Sequence, residues 1–136
     1  MSTQTALVTG VDFVAVPVTD YDAAAEFYGN VLGLPFVKRW GDMPAGEFQA
    51  GNLTLAVLQP DAFGQEFRTS TSWVALQVDD VAAARAALES QGIEFRADTM
   101  DSGVCHMAYF TDPDGNPLIL HHRYAPKDAR PAGAGA

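Results

Sequence analysis

Phe13-Val14-Ala15-Val16-Pro17-Val18-Thr19-Asp20-Tyr21-Asp22-Ala23-Ala24 reads as a strand running into a helix. It recurs about sixty residues later as Trp73-Val74-Ala75-Leu76-Gln77-Val78-Asp79-Asp80-Val81-Ala82-Ala83-Ala84. Val14, Ala15, Val18, Asp20, Ala23 and Ala24 meet identical residues. Once one residue is deleted, Gly33 and Phe36 meet Gly92 and Phe95. A repeat of this kind marks one supersecondary unit used twice. In each copy the apolar run ends at an aspartate, Asp20 or Asp80, whose short carboxylate suits the first free N–H groups of a helix.

Working outward, Ala24, Phe27, Tyr28 and Val31 stand at helical spacing and predict a first helix to about residue 32. Val81, Ala84 and Leu88 predict a second to about residue 91. Gly33 and Gly92 stand where helices stop in a left-handed turn. Short strands are expected near 35–39 and 94–97. Two hairpins follow, 46–49 with 53–59 around Ala50-Gly51-Asn52, and 104–111 with 117–123 around Asp112-Pro113-Asp114-Gly115-Asn116. The order is βαβββ twice. One copy alone leaves a sheet face bare, so two must pack together. The expectation is an α+β fold, a cup-shaped mixed sheet with helices outside. It forms a single domain over 1–125, with modules at about 8–60 and 70–123. Residues 126–136, rich in Pro, Gly and Ala, are expected to be a flexible tail.

The 136 residues, 48% apolar and 18% charged, have an ordinary globular balance. A net charge of −9 repels phosphate backbones and anionic membranes, so nucleic acid is not an expected partner. It favours a cationic ligand, although solubility alone also accounts for it. Cys105 is the single cysteine, which excludes an internal disulfide and a thiolate zinc cluster and fits a reducing cytoplasm. Residues 1–10 lack the charged start and apolar run of a signal peptide, and no stretch is long enough to span a bilayer.

Tyr109-Phe110-Thr111-Asp112-Pro113-Asp114-Gly115-Asn116-Pro117-Leu118-Ile119-Leu120, together with Phe27-Tyr28 and Val31-Leu32-Gly33-Leu34, resembles the vicinal oxygen chelate superfamily. That superfamily groups glyoxalase I, extradiol dioxygenases, fosfomycin-resistance enzymes and bleomycin-resistance proteins. The resemblance runs over about residues 11–122. Its metal-using members hold a divalent ion with His, Gln or Glu from each module's first and last strands, leaving open positions for substrate oxygens. Carried onto this chain, the four places fall on Phe13, Ala56, Trp73 and Ile119, none of which offers a ligand. Thr54 and Leu58, beside Ala56 on the same face, are no better. His106, His121 and His122 do not replace them, because adjacent strand residues point to opposite faces. The resemblance therefore implies a member without metal or other cofactor.

Strand alternation, started from those four positions, gives the inward set. It comprises Phe13 and Ala15; Thr54, Ala56 and Leu58; Trp73, Ala75 and Gln77; Cys105, Met107 and Tyr109; Ile119 and His121, with Glu47 joining from the first hairpin. Trp40, Lys38 and Arg39 are rim candidates. This apolar, aromatic lining with a few polar handles suits an organic ligand. Phe13 and Trp73 occupy equivalent places, so they are expected to face each other and sandwich a planar molecule. Tyr109 aligns with a substrate-polarising tyrosine of extradiol dioxygenases, which here implies a hydrogen bond to ligand. His121, the sole inward histidine, is a conceivable general base. Cys105 reads as a small buried hydrophobe.

Two functions from different classes follow. The first is metal-independent binding of a small aromatic or amphipathic molecule, as in the bleomycin-resistance branch, which also implies a homodimer. The alternative is a lyase, isomerase or dioxygenase, either metal-free through His121, Tyr109 or Glu47, or with a non-standard metal site.

Overall fold

Both aspartates open their helices as expected: the Asp20 carboxylate accepts from the Ala23 N–H at 3.2 Å and Asp80 from the Ala83 N–H at 3.0 Å. The computed structural model describes residues 7–126. Strand β1 (Val14–Pro17) leads into α1 (Tyr21–Glu26), which continues as a π turn over Phe27–Val31. Then come β2 (Phe36–Arg39), β3 (Ala45–Ala50) and β4 (Leu53–Leu58), and a 3-10 turn at Pro60–Phe63. The second module has β5 (Val74–Gln77), α2 (Val81–Glu89), β6 (Met100–Asp101), β7 (Cys105–Thr111) and β8 (Pro117–Arg123). In the π turn, Leu32 N–H donates to the Phe27 carbonyl, five residues back, at 2.9 Å. Beyond Pro126, the expected tail lies outside the described residues.

Each module forms its own four-stranded sheet, ordered β1-β4-β3-β2 and β5-β8-β7-β6. The first strand of each runs parallel to its last, and the other pairings are antiparallel. This is the duplicated α+β architecture read from the repeat. One element is displaced. No strand forms at 94–97; Arg96 makes a single main-chain bond there, its N–H donating to the Tyr109 carbonyl at 2.9 Å. Pairing waits until Met100 and Asp101. The cause is Arg85 of α2, whose guanidinium donates to the Ala97 carbonyl at 2.7 Å and lies 4.8 Å from the Phe95 ring centre, tying this stretch to the helix instead of the sheet.

The helix-facing sides of the sheets carry the core. Tyr28, Phe48, Leu55 and Val57 are buried in the first module, and Ala108, Phe110, Leu118 and Leu120 in the second, with Val81 and Leu88 of α2. The turn between β7 and β8 fastens one module to the other. Tyr28 Oη donates to Asp112 at 2.7 Å, and Asn116 Nδ2 donates to the Pro17 carbonyl at 2.6 Å. The Ser70 N–H donates to Asn116 Oδ1 at 2.8 Å, and the Thr19 N–H to Asp114 at 3.2 Å. Gly115, at φ +85°, supplies the left-handed residue this turn needs.

Burial, then the charge of Asp112 and the bond to it, push the Tyr28 hydroxyl far above its ordinary value of 10.0. The unfolded chain therefore releases this proton near pH 10 while the native chain keeps it. The contribution is complete below pH 10 and is lost as pH rises above it. Urea midpoints measured from pH 7 to 11 should fall more steeply for the natural chain than for Tyr28→Phe. Tyr21, also raised, chiefly by burial, leaves a smaller slope in both.

Candidate functional site

The pairing register decides which side chains share a face. Glu47 lies opposite Ala56, and Ala56 opposite Ala15. In the second module Met107 lies opposite His121 and His121 opposite Gln77; Tyr109 lies opposite Ile119 and Ile119 opposite Ala75. These rows, with Thr54, Leu58 and Cys105 on the same alternation, face away from the helices. The face inferred from the sequence is thus one continuous side of each sheet, contributed in halves by the two modules.

The aromatic side chains sit differently from the expectation. Phe13 meets Trp40 edge-on, centroids 5.4 Å apart at 67°, and Trp40 meets Phe63 at 6.1 Å and 88°. Trp73 meets Tyr109 at 5.4 Å and 86°, with the Arg96 guanidinium 5.8 Å from the indole centre. Phe13 and Trp73 therefore pair within their own modules and not with each other. The end of β1 meets the β7–β8 turn through Asn116, whereas the end of β5 lines a cleft with the β3–β4 turn. The two strands pass in opposite directions, and each ring turns to a partner within its own module. The result is two aromatic corners, and both rings remain open, Phe13 43% and Trp73 45% exposed.

The polar groups are largely engaged. Trp40 Nε1 donates to Glu47 at 2.6 Å, and Thr54 Oγ1 to Gln49 at 2.7 Å. The Tyr109 hydroxyl finds only the Met107 sulfur, at 3.5 Å, and so retains capacity to bond a ligand. His121 belongs to this face. His122 points the other way, with Nδ1 3.1 Å from the Val78 carbonyl. His106, also on that opposite face, sits 3.4 Å from Asp101, whose carboxyl is held below its ordinary range by the Gly103 N–H and then the Tyr124 hydroxyl. Cys105 is buried, its sulfur 3.0 Å from Ser102 Oγ. Glu47 lies on the first module, and His121 and Tyr109 on the second.

Phe13, Ala56, Trp73 and Ile119 present rings and alkyl groups where family members place metal ligands. Among the described residues, no group of three or more His, Cys, Asp or Glu side chains is placed to hold a metal ion. The donor set does not fit a divalent ion.

The structure adds Phe63 and Arg96, which no strand periodicity marked. It also opens a cleft of about 700 Å³ between β5 and the β3–β4 turn, lined by Leu34, Leu53 and Leu76 among others. That cleft exists only because of how the modules meet.

Two βαβββ units, each with its own four-stranded sheet and fastened to one another through the β7–β8 turn, define a class of protein built around paired sheet faces. The family model for the Glyoxalase/Bleomycin resistance protein/Dioxygenase superfamily matches residues 10–120, and the chain belongs to that superfamily. Among solved structures it is similar to a lactoylglutathione lyase from Agrobacterium tumefaciens, with 20% identity, a TM-score of 0.70, and 86% of this chain and 96% of that one covered. TnmS3, an antibiotic binding protein from Streptomyces sp. CB03234, shares 22% identity at a TM-score of 0.72, over 88% and 99% of the two chains. A glyoxalase/bleomycin resistance protein/dioxygenase from Nocardioides shares 22% at 0.71, over 96% and 93%. At these identities the likeness is one of fold. A search of curated proteins returned no match.

Proposed function

We propose that the concave face binds a small aromatic or amphipathic molecule without a metal, as a sequestering protein and not as a metalloenzyme. The carrying observation is the chemistry at the four family metal positions: Phe13, Ala56, Trp73 and Ile119 replace ligands with apolar and aromatic surface. Two exposed aromatic corners beside them offer ring faces, and the Tyr109 hydroxyl and Gln77 offer hydrogen bonds, the usual make-up of an organic-ligand site. TnmS3, described as antibiotic binding, supports a binding role on this fold. Homodimer formation and a cytoplasmic setting go with the same reading.

Trp40 and Trp73 are the protein's two tryptophans, and both stand on this face. Tryptophan fluorescence, excited where tyrosine does not absorb, therefore reports on it. Titration with a panel of aromatic antibiotics should give a saturable change for at least one compound. That change should be insensitive to a chelator, with the compound recovered intact. Loss of binding on chelation, or recovery of a chemically altered compound over many turnovers, would overturn the proposal.

A further inference from the structure

The two ends of the module junction are not alike. Ala15 lies opposite Ala56 and Ala75 opposite Ile119, which makes Leu53 the counterpart of Asn116 and Gln77 the counterpart of Pro17. Asn116 Nδ2 donates to the Pro17 carbonyl. Leu53 has no donor to offer the Gln77 carbonyl. The Ala50-Gly51-Asn52 turn is also shorter than the Asp112–Asn116 turn that closes the other end. The cleft of about 700 Å³ lies where this second fastening is missing.

Its chemistry is specific. Leu34, Leu53, Leu55, Leu76 and Val78 make apolar walls, and Asp79 stands among the lining residues. Along its length runs β5, an outer strand of its sheet, and no strand pairs with that edge among the described residues. The Val78 N–H donates inward to the His121 carbonyl at 2.9 Å, so alternation turns the main-chain N–H and C=O groups of Ala75 and Gln77 toward the cleft. An unpaired edge is a template for another extended chain, and the volume lies in the range of small-ligand sites.

We propose that this cleft is a second ligand site, separate from the concave face, taking an extended, amide-bearing molecule of about three peptide units. An antiparallel strand of that length, roughly 10 Å, matches the stretch of β5 that carries the two free residues and brings its amino terminus to the Asp79 end. Its amides pair with Ala75 and Gln77, one apolar side group enters between Leu34, Leu53 and Leu76, and a free amino terminus meets Asp79. The site does not depend on the concave-face reading.

The probe is the tripeptide Val-Leu-Val amide, titrated into the full chain and followed by amide chemical shifts and hydrogen exchange. Saturable shifts at Ala75, Gln77 and Leu53, with slowed exchange at the Ala75 and Gln77 amides, are expected. Leu53→Asn, which installs the donor found at the other junction, should weaken binding by about tenfold. The same peptide methylated at its central amide nitrogen should lose a similar factor on the natural chain, a comparison that needs no variant to fold. Absence of saturable shifts at Ala75 and Gln77 with millimolar peptide overturns the proposal. So does equal binding of the methylated peptide, or shifts confined to Trp73 and Tyr109.

Discussion

Asp112→Ala is expected to lower stability by about 3–5 kcal/mol, which for a domain of this size is a drop in Tm on the order of 10–20 °C. Asp112 is only 3% exposed and accepts from four donors: the Asp114 and Asn116 N–H groups on one oxygen, Tyr28 Oη and Asn116 Nδ2 on the other. Alanine strands all four. The Tyr28 hydroxyl, in a fully buried side chain, has no water to turn to, and an unmade buried bond costs more than a made one contributes. The damage extends past the turn, because Asn116 also holds the Pro17 carbonyl and the Ser70 N–H. Asp112→Asn should recover little, since an amide accepts on one side only and would point its NH2 at a pair of donors. Urea or thermal unfolding of the three proteins checks this. A loss below about 1 kcal/mol, the range of an unremarkable substitution, would show that the modules are held together by other means.

Trp73→Ala should weaken ligand binding on the concave face by about ten- to a hundredfold, from the loss of a large aromatic contact. The ring meets Tyr109 at 86° and has the Arg96 guanidinium over it, yet the residue is still 45% exposed, so truncation removes ligand contact and disturbs little of the core. Trp73→Phe should retain most of the affinity. Calorimetric titration of the ligand found by the fluorescence panel decides the matter. An unchanged affinity in Trp73→Ala, with binding abolished in Trp40→Ala, would move the ligand to the Phe13–Trp40–Phe63 corner.

What the sequence made legible was set by local rules. Asp20 and Asp80 announced two helix starts because capping depends on residues three apart, and both caps form. The Asp-Pro-Asp-Gly turn fixed the pairing of Tyr109 with Ile119 and of Met107 with His121, because a tight turn leaves one register. The features that escaped depend on contacts between distant segments. Trp40 reaches Phe13 and Phe63 only after β2 has folded back and the 3-10 turn has followed β4. Phe13 pairs with Trp40 and Trp73 with Tyr109, contacts that differ between the modules and that no repeat can reveal. Arg85 draws the 94–99 stretch onto α2, across a loop, and so delays β6. The cleft beside β5 arises from the docking of one module on the other, where Leu53 stands in place of an asparagine.

The π turn at Phe27–Val31 reconciles unequal spans. Asp20 to Gly33 is one residue longer than Asp80 to Gly92, and the surplus is taken up by one widened coil, so both glycines still end their helices. Excising Gly29 would return that coil to ordinary α pitch and leave Leu32 and Gly33 in position. The same excision within α2 has no slack to absorb it: everything downstream would swing by roughly 100° about the axis and carry Leu88 off the core. Of the two helices, only the first therefore tolerates a shortened chain.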